Sequence, residues 1–148
     1  MIDEKSLEEL QKKFDSLSFK NQKKVFQAAL TKSATILKNK TKANLRILKQ
    51  NPASIRKRTA LEKGIKHRTK LTSVKDMWSL VHIMGDYWLK WIEKGTSERR
   101  TKKGYNRGVQ KGGYFFNKAQ QETQSQVFSE LENRINENIL KIWKKENS

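Results

Sequence analysis

Acid–base or metal chemistry in this chain would have to come from two histidines, His67 and His82, or from Glu93, the one carboxylate set in an aromatic stretch beside Trp91. A protein metal site uses three or four His, Cys, Asp or Glu ligands at short fixed spacings such as HExxH or CxxC. Neither histidine stands in such a spacing, and no cysteine is present to complete a thiolate shell, form a disulfide or act as a nucleophile. An apolar neighbour raises a carboxylate pKa, but a general acid or base needs a second group to work with, and none accompanies Glu93. The glycines between residues 95 and 113 follow neither the GxxxxGK[ST] nor the GxGxxG order of phosphate-cradling loops. These residues predict a protein with no enzymatic activity, metal or cofactor, whose histidines are structural.

Charge offers more. The chain has 148 residues with 33 Lys+Arg against 15 Asp+Glu, a formal net charge of +18. Residues 1–18 carry a net −2, residues 38–75 a net +12, and residues 86–111 a net +5. A cationic middle of this density repels itself in a compact domain and attracts polyanions: nucleic acid, an acidic membrane or an acidic protein face. No apolar run approaches the ~20 residues that cross a bilayer, and no apolar signal region follows the acidic start. A soluble protein made in a cytoplasm, without a membrane partner, is expected. No RNA-recognition or helix-turn-helix signature is visible, so any nucleic-acid contact would be to phosphates rather than bases.

The elements that must position these charges follow from periodicity. Leu7, Leu10, Phe14 and Leu17 predict a short acidic helix over residues 3–17, loosely attached. Ser18 stands as a possible cap for a long helix over 19–49, striped by Phe26, Leu30, Ser33, Leu37, Thr41, Leu45 and Leu48 and ended by Asn51-Pro52. A basic connection with Arg56-Lys57-Arg58 leads to a hairpin over about 64–84. In its first strand Ile65, His67, Thr69 and Leu71 point one way and Lys66, Arg68 and Lys70 the other; the apolar 77–84 reads as a more buried partner. The hairpin ends at Gly85, and Asp86 can cap residues 87–94, whose period fits either a helix or a third strand. A mobile, basic, glycine-rich loop over 95–113 precedes a second long helix opening near Tyr114, with a ragged tail at 144–148. The whole is a single α+β domain over 1–148, with long N- and C-terminal helices packed on a short antiparallel sheet.

The stretch Glu93-Lys94-Gly95-Thr96, taken with Lys38 to Arg46, Leu61, Ile65, Phe115-Phe116 and Ala119, resembles the small tail-completion or neck proteins of long-tailed double-stranded DNA phages and prophages. In that family a Lys-rich helix leads into a hairpin, an aromatic segment closes on Glu-x-Gly-Thr, and an aromatic pair with an alanine opens the last helix. The chain departs from the pattern at Gly64, where a serine is frequent, and at Gly113-Tyr114, which lacks the usual proline. In physical terms Gly95 supplies a positive φ, Thr96 bonds freed backbone groups, and Glu93 anchors the loop to a cation.

The resemblance implies a virion protein of the neck or tail, assembled in the host cytoplasm and closing into a ring of six subunits, with twelve less favoured. Its partners would be copies of itself, adjacent neck or tail proteins and, non-specifically, phage DNA. The candidate contacts with DNA or an acidic partner are Lys66, Arg68, Lys70, Arg99, Arg100, Lys102, Lys103 and Arg107, the loop ordering on assembly; the candidate interface aromatics are Trp88, Trp91, Tyr105 and Tyr114. The same cationic middle also allows a second reading, a free nucleic-acid-binding protein without sequence specificity.

Overall fold

A computed structural model describes residues 4–48, 61–73, 76–83 and 87–148. Its elements are α1 (Glu4–Asp15), α2 (Phe19–Ile47), β1 (Lys66–Leu71), β2 (Met77–His82), α3 (Tyr87–Lys94) and α4 (Phe115–Glu146). The fold is α+β, with a long helix towards each end and, among the described residues, one two-stranded antiparallel sheet. Asn51-Pro52, the Arg56-Lys57-Arg58 run, Gly85 and Asp86 lie outside the described residues. Residues 87–94 are helical: Leu89, Ile92 and Glu93 are buried, a three-and-four spacing that the surrounding aromatics hide in the sequence.

Internal contacts group the residues into two compact units: 1–35, 68–80 and 125–148 in the first, 36–67 and 81–124 in the second. In the first unit Leu17, Val25 and Ile139 form a core against which Leu10, Phe14, Ile135, Ile142 and Trp143 pack. The stripe of α2 is centred on Val25, Ala29 and Ser33 rather than on Phe26 and Leu30. Small residues at the centre allow close approach, and Phe26 sits at the flank, where its ring meets Phe14 edge-on with centroids 5.4 Å apart. No residue of α1 is fully buried, yet Leu10 and Phe14 tie it to the core and Lys13 lies 5.3 Å from the Trp143 ring centroid.

Ser18 does stand at the start of α2, its carbonyl accepting from the amides of Asn21 and Gln22. Its hydroxyl, however, donates to Glu146 instead of capping those amides, and the Asn21 amide group donates to the same carboxylate. Glu146 is the last residue of α4, so a helix runs through much of the tail where raggedness is expected.

In the second unit Leu45, Ile65, Val81, Leu89, Ile92, Phe115 and Ala119 are buried. Phe115, not Phe116, is the aromatic most deeply enclosed. The buried hydroxyls of Thr41 and Thr123 donate to the carbonyls of Leu37 and Ala119 one turn back, so neither is left unpaired. Arg46 forms two bonds to Glu62, of 2.7 and 2.8 Å, and this guanidinium holds the Glu62 carboxyl below the usual carboxylate range.

The hairpin alternates along both strands. The hydroxyls of Thr69 and Ser79 lie 3.0 Å apart and the Thr72 amide bonds the Asp76 carbonyl, so residue numbers across the ladder sum to a constant. That register sets Arg68 beside Leu80 and Lys70 beside Trp78. In β2 only Val81 is fully buried; Trp78 and Leu80 are exposed, against the expectation of a buried partner strand. Burial depends here on strand parity, because the helices cover only one face of the sheet.

Phe115 is 1% exposed and Phe128, on the same helix, is 62% exposed. Phe115→Ala is expected to lower unfolding free energy by about 3–5 kcal/mol through the cavity it leaves, and Phe128→Ala by less than about 0.5 kcal/mol; urea denaturation followed by circular dichroism measures both.

Candidate functional site

The Glu93-Lys94-Gly95-Thr96 stretch forms a joint, and Glu93, Gly95 and Thr96 each have a separate task there. α3 ends with the Gly95 amide donating to the Trp91 carbonyl at 2.7 Å. Its last free carbonyls, on Ile92 and Glu93, accept from the amides of Gly113 and Tyr114 as the chain enters α4. Tyr114, with φ +49°, occupies the capping position of α4 but has no short side chain to satisfy the first amides. Glu93 does this instead: its two carboxylate oxygens accept from the amides of Phe116 and Asn117 at 2.8 and 3.0 Å. A buried anion at a helix N-terminus is also favoured by the helix dipole. Glu93 therefore anchors backbone amides, and among the described residues no cation pairs with it, which corrects the expectation from sequence.

Gly95 has φ +80°, and a Cβ there would lie 2.5 Å from the Gln110 carbonyl oxygen and 2.7 Å from the Gly112 nitrogen. Two demands meet at one residue, a left-handed backbone and a close approach by the returning strand. Thr96 completes the joint: its amide donates to the Gln110 carbonyl at 2.9 Å and its hydroxyl accepts from the Gln110 amide at 3.0 Å.

From this joint residues 95–111 extend as an antiparallel arm instead of an open mobile loop. Bridges pair Gly95 with Lys111 and Arg100 with Asn106. Arg99 and Arg107 exchange backbone bonds with the opposite side, and Gly104, φ +83°, turns the tip. Glu98 ties the two sides by accepting from Asn106 at 2.6 Å. Arg100, Lys102, Lys103 and Arg107 are exposed, as is Tyr105 at 70%. Arg99 differs: it is half-buried with its guanidinium 5.8 Å from the Trp91 ring centroid.

Of the other sequence candidates, Lys66, Arg68 and Lys70 are all exposed along one face of β1. Trp88 and Tyr114 are exposed, while Trp91 is half-buried with its ring edge-on to Trp88 at 5.0 Å. Trp78, Leu80, Val109 and Phe128 are exposed large apolar residues that the sequence reading did not single out. The signal for the first two was the two-residue period of β2, obscured by its uniformly bulky composition.

His67 and His82 fall on opposite faces of the hairpin, so the sheet separates them as ligands. Lys38 donates to His67 Nδ1 at 3.1 Å, which leaves the ring proton on Nε2. Burial, and after it the Lys38 ammonium, push the His67 pKa below its ordinary value. Among the described residues no group of three or more His, Cys, Asp or Glu is placed to hold a metal ion, and no helix is long and apolar enough to cross a membrane. Comparison with protein-family models, curated proteins and solved structures finds no match.

Gly95 and Gly104 share nearly the same φ, but a Cβ at Gly104 meets nothing within 4 Å. Gly104→Ala is expected to cost about 1–2 kcal/mol from the left-handed backbone alone; Gly95→Ala should cost clearly more, and a thermal melt of the two variants compares them directly. For His67 the folded-state pKa lies below the unfolded one, so its contribution to stability is present above the ordinary value of 6.5 and is lost as pH falls through the folded value. His67→Gln should flatten that part of the stability–pH profile, measured by urea midpoints between neutral and mildly acidic buffer.

Proposed function

We propose that this chain is a structural subunit of a tailed phage or prophage particle, closing into a ring at the head–tail junction or tail end and joining adjacent rings around the DNA channel. The observation that carries the reading is the joint at Glu93, Gly95 and Thr96. All three signature residues act on backbone groups that hold α3, the arm and α4 together, and none is left to act on a small substrate. A braced joint of this kind supports the role of a scaffold that presents an arm to neighbours.

The arm suits that role in composition. Lys102, Lys103, Arg107 and Tyr105 project on a short hydrogen-bonded hairpin, where an acidic neighbour or DNA can reach them. Six copies would collect six times a formal +18, which must be offset by DNA, acidic faces or salt. In this reading the protein works in the virion neck or tail, is assembled in the host cytoplasm, and performs no catalytic step.

Exposed Tyr105 among cations also favours the second reading, a free protein that binds nucleic acid through stacking and phosphates. Light scattering coupled to size-exclusion chromatography, at low and high salt and with or without duplex DNA, separates the two. A discrete closed oligomer with little DNA binding by the monomer is the expected result. A persistent monomer that forms a salt-sensitive complex with DNA would overturn the assembly reading.

A further inference from the structure

The outer face of the hairpin and the outer face of α1 are complementary, and both belong to the first compact unit. On the hairpin, Trp78 is 37% and Leu80 52% exposed, and the strand register sets Lys70 and Arg68 beside them. Neither cation forms an ion pair among the described residues. This is a small apolar platform edged by two fixed positive charges.

On α1, Leu7 is 58% exposed. At 100° per residue Leu7 lies beside Phe14 at the edge of the packed stripe, Glu4 and Glu8 project roughly 60–100° further round on the side away from Leu10, and Asp15 shares that side about 12 Å along the helix. All three are exposed and make no ion pair among the described residues. Several acids elsewhere are engaged inside the chain: Glu62 with Arg46, Glu93 with the start of α4, Glu122 with Lys40 and Asn44, and Glu146 with Ser18 and Asn21. The helix thus offers an apolar side chain flanked by two carboxylates, Glu4 and Glu8, that make no ion pair among the described residues.

We infer that the Trp78–Leu80 face of one copy receives the α1 helix of a second copy, Leu7 resting on Trp78 and Leu80 while Glu4 and Glu8, about 6 Å apart along the helix, meet Arg68 and Lys70. The inference rests on the assembly reading and names the interface through which the ring would close. Charge complementarity selects this occupant. In a chain of net +18, most surfaces repel a second copy, whereas acidic α1 is attracted to the cationic platform. Made once between two copies, the contact is heterologous and leaves a free acceptor face on one copy and a free donor face on the other, from which a ring or a filament grows. Burying Trp78 and Leu80 supplies the apolar centre, and the charges set orientation and association rate.

The test uses two variants of the full chain. Leu7→Lys with Glu8→Lys spoils the helix face, and Trp78→Lys with Leu80→Lys spoils the platform; all four positions are exposed, and circular dichroism checks that each variant folds. Sedimentation velocity at low salt is expected to show wild-type self-association that weakens as salt is raised. Each variant alone should associate roughly tenfold or more weakly. Mixing them should give a one-to-one complex that grows no further, because a single intact donor–acceptor pair remains. If wild type assembles and both variants assemble equally well, this interface is overturned while the ring reading stands. A wild-type chain that stays monomeric overturns the interface, and DNA binding by that monomer overturns the ring reading with it. Loss of oligonucleotide binding in Arg68→Ser/Trp78→Ser, with self-association unchanged, would overturn it in favour of nucleic acid as the occupant.

Discussion

A buried carboxylate holding the first free amides of a 32-residue helix is the interaction on which the second compact unit depends. Helix starts leave amides without partners, and in most helices the residue at the boundary supplies an oxygen from its own side chain. Tyr114 cannot, and its left-handed backbone adds strain there. Glu93 answers from the preceding helix, and the debt at the end of α3 is settled in return by the amides of Gly113 and Tyr114. Each helix terminus satisfies the other. The arm must then leave and return within one close strand pairing, and for that reason Gly95 has no room for a side chain.

This arrangement explains how a chain with few apolar residues can present a cationic arm in a definite direction. Only 34% of its residues are hydrophobic, so rigidity cannot come from a large core. It comes from saturated backbone bonds at the joint, from the Thr96 hydroxyl standing in as an extra ladder partner, and from Glu98 bridging to Asn106. Charged side chains stay outside on this frame, where their hydration is undisturbed.

The same logic of unspent charge distinguishes the two ends of the molecule's charge distribution. Basic side chains far outnumber acidic ones, and many of the acids are used internally to fix helices and turns. Glu4, Glu8 and Asp15 of α1 make no ion pair among the described residues. In the interface we infer, a segment of opposite sign on a cationic chain serves as a directional element that attracts another copy by charge where apolar area is scarce.

Periodicity alone determined the two long helices, the hairpin and the exposed row of Lys66, Arg68 and Lys70, because spacings of three-and-four or two are properties of the backbone and survive any packing. It also marked Gly95 as a turn residue. Tertiary structure decided the rest. Residues 87–94 have both a helical and an extended pattern available, and only the neighbours that bury Leu89 and Ile92 select the helix. The bulky run of β2 could be read as buried throughout, but a sheet covered on one side leaves Trp78 and Leu80 outside. The partner of Glu93 lies 23 residues further on, at the start of another helix, and a contact at that separation leaves no mark on local spacing. Local pattern settles which groups share a face; only the folded chain settles what that face meets.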